Sequence, residues 1–273
     1  MPETDIFVAR LGHTNGKLSL GAAKNMTHRA GYDNQPNFSA DGRSFLFTEY
    51  LDGQSDIFGC YMQTDSIQRL TNTRESEYSP TMMPDGEFYS VIRVEKDSTQ
   101  RLWKFPIGGG EPELVLKSLK PVGYHAWLDN MTVALFILGD TNTLNIVNIN
   151  TEAVQRFPGE IGRSMHKIPQ RNTLSFVQKV SEKEWWIKEY NPKTKTMRPL
   201  IKTLAGKEDF TWTPDGMIVM GEGSKLYYWN PETSPTWQLL GDCSEAGISE
   251  ITRLDVSPLG DMIAIVGITT VKK

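Results

Sequence analysis

The sequence predicts an all-β chain that folds as a six-bladed β-propeller of four-stranded antiparallel blades. Three observations predict this fold. One turn motif recurs at a nearly fixed period, each copy is followed by short apolar runs of strand length, and the two ends of the chain carry complementary parts of one repeat. A fixed period of this kind is typical of folds in which each repeat is one supersecondary unit.

The recurring motif is a tight turn, which is clearest at Asp41-Gly42. Its copies are centred on residues 41, 85, 129, 171, 215 and 259, so that successive copies lie 44 or 42 residues apart. Asp-Gly and Asn-containing pairs supply the positive φ that a tight hairpin needs. The fourth copy has Arg171-Asn172 in place of Asp-Gly, and we therefore expect its hairpin to be longer or differently turned.

Each turn is followed by strand-like segments that are too short to be helices. In the first repeat these are Ser44–Thr48, then Asp56–Phe58, then a weaker segment at Ile67–Thr71. With the segment before the turn they make four antiparallel strands in about 44 residues, which is typical of a propeller blade.

The chain ends predict how the ring closes. The segment before residue 32 has only third- and fourth-strand character, and the segment from residue 250 has only first- and second-strand character. We expect residues 4–27 and 250–268 to form one hybrid blade, which removes an unpaired sheet edge. The other blades are expected near 32–72, 76–117, 121–158, 163–202 and 207–241, within a single domain spanning 1–273.

The residues of the repeat also resemble a known family. The pattern Pro-x-Phe-Ser-x-Asp-Gly-Arg at 36–43, followed by Asp-Ile-Phe at 56–58 and Leu-Thr at 70–71, resembles the WD-type repeat of TolB-like propellers. The units at 80–86 and 213–216 repeat it, and the resemblance extends from residue 4 to about 268. This family includes periplasmic partner-binding proteins, the non-catalytic propellers of serine oligopeptidases, and a few lyases.

That resemblance implies a periplasmic or secreted location. The N-terminus has no apolar signal core, and our hypothesis is that Met1 is an expression start that replaced a removed leader. We expect a monomer without a cofactor.

Composition narrows the classes of partner. The chain has 29 basic and 33 acidic residues, a net charge of −4 and no run of five like charges. Nucleic acids and anionic membranes favour a basic patch, so we predict neither as the main partner, and we predict no membrane insertion because no apolar run approaches roughly 18 residues. Two cysteines are too few for a disulfide framework or a Cys-type zinc site.

In a propeller the innermost strand of each blade lines the central channel, and the segment leading into it forms one mouth. The lead-in segments hold an aromatic and mixed-charge set, which suits a protein segment, a peptide or a small polar ligand. The same set would also fit the ordinary polar rim of a propeller. The candidate residues are Tyr78, Tyr124, His125, Arg163, His166, Glu208, Asp209 and Arg253.

The sequence leaves two functions open. The first is a non-catalytic binding propeller with a protein or peptide partner. The alternative is a metal-assisted lyase or hydrolase acting on a saccharide-like substrate, because some propeller lyases that the chain resembles hold a metal on channel histidines. Here His125 and His166 would be the weak candidate ligands, and Glu208 or Asp209 would have to complete the site.

Overall fold

The structure, a computed structural model, describes residues 2–269; residue 1 and residues 270–273 of the predicted domain lie outside the described part. The chain has the all-β fold of a six-bladed propeller. Its strands, in chain order, are β1 Asp5–Thr14, β2 Lys17–Leu20, β3 Lys24–Asn25, β4 Tyr32–Phe38, β5 Ser44–Leu51, β6 Gln54–Tyr61, β7 Ser66–Arg69, β8 Ser76–Met82, β9 Phe88–Val94, β10 Gln100–Pro106, β11 Glu113–Leu114, β12 Val122–Trp127, β13 Thr132–Ile137, β14 Thr143–Asn148, β15 Val154–Phe157, β16 Ile161–Lys167, β17 Leu174–Ser181, β18 Glu184–Asn191, β19 Thr196–Lys202, β20 Phe210–Trp212, β21 Ile218–Glu222, β22 Lys225–Trp229, β23 Gln238–Asp242, β24 Ile248–Val256 and β25 Met262–Thr269.

The strands form six antiparallel sheets. Sheets 1 to 5 contain four consecutive strands each, from β4–β7 through β20–β23, and the closing sheet has the order β2-β1-β25-β24 with β3 also paired to β1. The chain divides into two compact units, residues 75–208 with sheets 2 to 4, and residues 1–74 plus 209–273 with the other three. No helix within residues 2–269 is long and apolar enough to cross a membrane.

The closing sheet confirms the predicted hybrid blade. Strand β1 pairs with β25 in continuous register, from Asp5 opposite Gly267 to Arg10 opposite Met262. Because both strands are sandwiched between neighbours, their backbone polar groups are satisfied within the sheet. The side chains of Ile6 and Val266 pack in one apolar cluster with Phe45 of sheet 1, so the two ends of the chain share a core.

The unit of residues 75–208 has two apolar clusters. One joins sheets 2 and 3 and includes Ile92, Leu102 and Val133; the other joins sheets 3 and 4 and includes Phe136 and Phe176. The alternating side chains of each strand thus face different neighbouring sheets, since successive residues of a strand point to opposite faces. This packing fixes the first strand of each sheet, which carries the candidate site.

The turns follow the predicted chemistry. Asp41 Oδ1 accepts a hydrogen bond from the Arg43 N–H at 3.0 Å, and Gly42 has a φ of 65°. The fourth turn is differently turned but not longer, because the Ile168 N–H still donates to the Thr173 carbonyl at 2.9 Å across six residues. Its left-handed residue is Gln170, with a φ of 59°, one position earlier in the turn than Gly42.

We predict that Ile6→Ala destabilises the protein by about 2–5 kcal/mol, because it opens a cavity in the fully buried core shared by the two chain ends. Urea titration followed by tryptophan fluorescence measures the free energy of unfolding. Leu239→Ala is the control, since Leu239 is 58% exposed, and it should change stability by less than about 0.5 kcal/mol. Equal effects of the two substitutions would contradict this account of ring closure.

Candidate functional site

The first strands of the sheets are irregular where the sequence places candidate residues. In residues 75–208 the pairing register shifts between Tyr78 and Thr81, between Val122 and Tyr124, and between Ile161 and Met165. Ser79 has a φ of 53° within the first of these shifts. Such bulges bend a strand and re-aim its side chains, and they are frequent next to functional sites.

The two candidate tyrosines of this unit are half-buried. Tyr78 packs against the cluster that joins sheets 2 and 3, and Tyr124 packs against the cluster that joins sheets 3 and 4. The Tyr124 ring meets Phe136 edge to face, with ring centroids 5.6 Å apart. Each tyrosine is therefore fixed by the core on one side and accessible to solvent on the other, which suits an aromatic group that contacts a ligand.

His125 is buried between sheets 2 and 3. Its Nε2 lies 2.7 Å from Ser90 Oγ, and Trp127 Nε1 donates to the same oxygen at 2.9 Å. Burial lowers the pKa of His125 to about 3, so the ring is neutral at physiological pH.

The hydrogen bonds around Ser90 indicate the tautomer of His125. The Ser90 hydroxyl is placed to donate to the Thr81 carbonyl at 3.3 Å, and its oxygen then accepts from both Trp127 and His125. We therefore assign the proton to His125 Nε2. Nδ1 is a buried atom that has no hydrogen-bond partner in the described part of the chain. This tautomer leaves Nδ1 with an unpaired lone pair, which costs less than an unpaired N–H.

His166 occupies a different environment from His125. It is half-buried on β16, and its Nε2 lies 3.2 Å from Ser164 Oγ. No group of three or more His, Cys, Asp or Glu side chains within residues 2–269 is arranged so that it could hold a metal ion. The two histidines thus make separate polar contacts, each with its own serine.

The best-defined polar arrangement of this unit is centred on Glu208. Its Oε2 accepts from Lys179 Nζ at 3.0 Å and from the Arg163 N–H at 3.3 Å, and its Oε1 lies 3.6 Å from Arg163 Nε. Gly162 permits this approach, because a Cβ there would lie 2.8 Å from Glu208 Oε2. The three side chains are only 19–32% exposed, so these charges are partly desolvated and positioned against one another.

An aromatic side chain extends this cluster. Lys179 and Trp185 lie directly opposite each other on β17 and β18, and Lys179 Nζ is 4.4 Å from the centroid of the Trp185 ring. This is the geometry of a cation–π interaction. The sequence predicted Arg163 and Glu208 but missed Lys179 and Trp185, because they lie on the second and third strands rather than in a lead-in segment.

The remaining two candidates lie in the other unit, where they form their own ion pair. Arg253 Nη1 is 3.7 Å from Asp209 Oδ1, and both side chains are less than one-fifth exposed. The eight predicted residues therefore comprise two ion-pair groups, two tyrosines and two histidines with separate partners.

Sheet 1 contains a row of carboxylates that sequence reasoning missed. Asp33, Glu49 and Asp56 lie opposite one another on β4, β5 and β6, and all three are buried. Arg29 binds Asp33 and Glu49, while Arg69 binds Asp56. Burial raises the pKa of Asp33 to about 6 and also raises that of Glu49.

The spacing of the repeat could have revealed this row. Asp33 and Glu77 are 44 residues apart, as are Glu49 and Arg93, and in sheet 2 Arg93 lies opposite Glu77 with its Nε 3.3 Å from Glu77 Oε1. Each sheet therefore has a buried acid on its first strand, which is Asp33 in sheet 1 and Glu77 in sheet 2. The residue opposite it on the second strand is an acid, Glu49, in sheet 1 and a base, Arg93, in sheet 2.

Asp255, on β24, is a further acid, and it is half-buried. Its Oδ2 accepts a hydrogen bond from the Phe38 N–H at 2.7 Å. Burial raises the pKa of Asp255 to about 7, although hydrogen bonds from the backbone oppose that shift. The carboxyl therefore titrates within the physiological range while it joins β24 to the first strand of sheet 1.

Comparisons with known proteins support the fold. An uncharacterized protein of Agrobacterium fabrum strain C58, Atu1656, is 25% identical over 80 residues, which are 29% of this chain and 27% of that protein. The match thus spans about a quarter of the length of that relative. No family model matches the sequence.

Several solved structures are similar over most of the chain. A candidate TolB of Agrobacterium tumefaciens has a TM-score of 0.77 at 15% identity and covers 98% of this chain and 99% of its own. TolB of Acinetobacter baumannii has a TM-score of 0.64 at 11% identity, over 97% of this chain and 64% of its own. An oligogalacturonate lyase in complex with manganese has a TM-score of 0.54 at 14% identity, over 99% of both chains. At these identities the similarity establishes the propeller fold alone.

We predict that Asp255→Asn makes the stability of the protein less dependent on pH. A carboxyl whose pKa is raised from 3.8 to about 7 binds more protons in the folded state than in the unfolded state, so the free energy of unfolding falls as the pH rises from about 4 to about 7. Asparagine retains an oxygen that can accept from Phe38 but cannot ionise.

Calorimetric melting between pH 5 and pH 8 tests this prediction. The difference in stability between the variant and the wild type should shift in favour of the variant by about 2 kcal/mol over this range. Asp140→Asn, an exposed acid, serves as the control. A constant difference between Asp255→Asn and the wild type at every pH would contradict the raised pKa.

Proposed function

We propose that this chain is a non-catalytic binding propeller that grips a protein segment, a peptide or a small polar ligand. In the unit of residues 75–208 the recognition surface consists of the lead-in residues of sheets 2 to 4, extended by Lys179 and Trp185. The observation that carries the proposal is the Glu208 cluster, in which two cations and a backbone N–H hold one partly exposed carboxylate.

This cluster favours binding because its groups are already positioned. Ligand affinity is reduced by the cost of ordering side chains, and here Lys179 is held by Glu208 on one side and by the Trp185 ring on the other. Peptides present carboxylates, amides and N–H groups that such a mixed-charge surface can pair. Tyr78 and Tyr124 add aromatic contact area. Tyrosine is one of the residue types that are enriched at binding hot spots.

The geometry gives less support to the alternative of a metal-assisted lyase or hydrolase. That reaction needs at least three ligands around one ion. His125 Nε2 is engaged with Ser90 and the ring is buried, while His166 contacts Ser164. We therefore do not propose for this chain a metal site like the one that holds manganese in the oligogalacturonate lyase.

A protein or peptide partner and a periplasmic or secreted location remain part of the proposal. Both come from the resemblance of the repeat to TolB-like propellers. The TolB structures share the fold at 11–15% identity, which is compatible with a binding role.

The test is the double substitution Tyr78→Ala with Tyr124→Ala. A phage-displayed library of random 12-residue peptides is selected on the wild-type protein, and the enriched peptide is synthesised with a fluorescent label. We expect the double variant to bind this peptide at least about tenfold more weakly, which is a loss of about 1.4 kcal/mol, because two aromatic contacts are removed. Fluorescence polarisation measures the affinity.

The matched control is Tyr50→Ala with Tyr61→Ala, which removes two tyrosines of sheet 1 that are each 37% exposed and lie outside the lead-in segments. This control should bind as the wild type does. If the first variant melts at a much lower temperature, Arg163→Met replaces it, since that change removes charge and leaves the core intact. Failure to enrich any peptide, or full binding by both variants, would refute the proposal.

A further inference from the structure

Positive charge is concentrated in sheet 4 and its flanking loops. Residues 161–208 contain eleven Lys and Arg but only four Asp and Glu, a net charge of +7, whereas the whole chain has −4. The rest of the chain therefore carries −11. A local field of this sign on an acidic protein attracts acidic partners and raises their association rate.

Much of this charge lies at one end of the sheet. We define the basic turn surface as the exposed cations where β16 passes into β17 and β18 passes into β19: Lys167, Arg171, Lys193, Lys195 and Arg198. The Arg163–Glu208 cluster lies at the opposite end of β16, where that strand begins. The basic turn surface is thus separate from the proposed recognition surface.

A single buried carboxylate organises two of these cations. Glu189 Oε2 accepts from Arg198 Nε at 2.7 Å and Nη2 at 2.5 Å, and its Oε1 lies 3.7 Å from Arg171 Nη1. The Glu189 side chain is 7% exposed, while those of Arg198 and Arg171 are 62% and 57% exposed. The buried acid therefore holds two guanidinium groups in place at the surface, which reduces the entropy cost of binding an anion.

The turn between β18 and β19 departs from the pattern of its counterparts. Asp65 in sheet 1, Glu152 in sheet 3 and Lys195 in sheet 4 all have a positive φ of 52–56° in this hairpin. Asp65 pairs with Lys24 of the closing sheet at 2.9 Å, and Glu152 accepts from the Lys117 N–H at 3.0 Å.

Lys195 carries the opposite charge to its two counterparts. Among the described residues it has no hydrogen bond or ion pair, and neither has the side chain of Lys193. The hairpin position that joins two segments of the chain in sheets 1 and 3 is therefore occupied in sheet 4 by a cation that has no partner within residues 2–269.

Strand addition to the edge of sheet 4 is disfavoured. Strand β19 is the edge of this sheet, but Pro199 lies in its middle and the register shifts at Lys188 opposite it. Proline lacks the N–H that an added strand would need, and bulged edges resist pairing. A partner would therefore be bound through side chains at the turns.

We propose that the basic turn surface binds an acidic segment of a partner protein. Carboxylates match the paired guanidinium groups of Arg171 and Arg198 in geometry and charge. A nucleic acid fits less well, because the chain is acidic overall and the five residues of the surface include no aromatic ring on which a base could stack. This inference does not depend on the proposed function, since it concerns the other end of the sheet.

The test is the double charge reversal Lys193→Glu with Lys195→Glu. Glutamate is compatible with the backbone at 195, because Glu152 occupies the equivalent left-handed position in sheet 3. The probe is a fluorescein-labelled 12-residue peptide of alternating glutamate and serine. We expect wild-type binding with one-to-one stoichiometry that weakens with salt, and a loss of at least about tenfold in the variant.

The matched control is Lys17→Glu with Lys225→Glu, which changes the net charge equally at two exposed lysines of the other unit. The proposal requires this control, and also Tyr78→Ala with Tyr124→Ala, to bind the acidic peptide as the wild type does. An equal loss in the charge control would mean that only net charge matters, and would overturn the proposal.

Three further outcomes would also overturn it: no peptide binding by the wild type, tighter binding of a 20-nucleotide single strand or of phosphatidylglycerol vesicles than of the peptide, or sedimentation of the wild type as an oligomer that the charge reversal converts to monomer. The last result would identify the partner as a second copy of this chain.

Discussion

The pairing of β1 with β25 is the constraint on which the rest of the fold depends. It joins residues near the two chain ends through six consecutive register pairs, from Asp5–Gly267 to Arg10–Met262. Without this pairing, the sheet would be divided into two halves, each with an exposed edge. The apolar cluster that contains Ile6, Phe45 and Val266 would also be exposed to water. The hybrid sheet therefore contributes both hydrogen bonding and apolar packing.

The polar candidate residues of residues 75–208 lie near the positions where the pairing register of the first strands shifts. The first strands shift register at Tyr78, Tyr124 and Ile161, and the polar residues near these shifts form defined partnerships rather than a uniform polar rim. His125 is a neutral core residue whose ring contacts Ser90, whereas Glu208 is partly exposed and forms ion pairs with Lys179 and Arg163. Burial and the nearest charge thus decided the role of each residue.

The two ends of sheet 4 use buried or partly buried carboxylates in a similar way. Glu208 positions Lys179 and Arg163 at one end, and Glu189 positions Arg171 and Arg198 at the other. In both places the carboxylate is less exposed than the two cations that it holds in position. The cations that pair with these two carboxylates are therefore held in defined positions.

The sequence by itself determined the repeat, the turn positions and the hybrid closing sheet, because each depends on local signals: the spacing of Asp-Gly pairs, short apolar runs and complementary chain ends. It also indicated the first strands and the segments that lead into them as the place of Arg163, Glu208 and the two tyrosines. Only the tertiary structure decided which side chains meet. Lys179 pairs with Glu208 across 29 residues of sequence, and Ser90 contacts His125 across 35 residues. Such contacts arise from strand register and sheet packing, and therefore leave no local pattern in the chain.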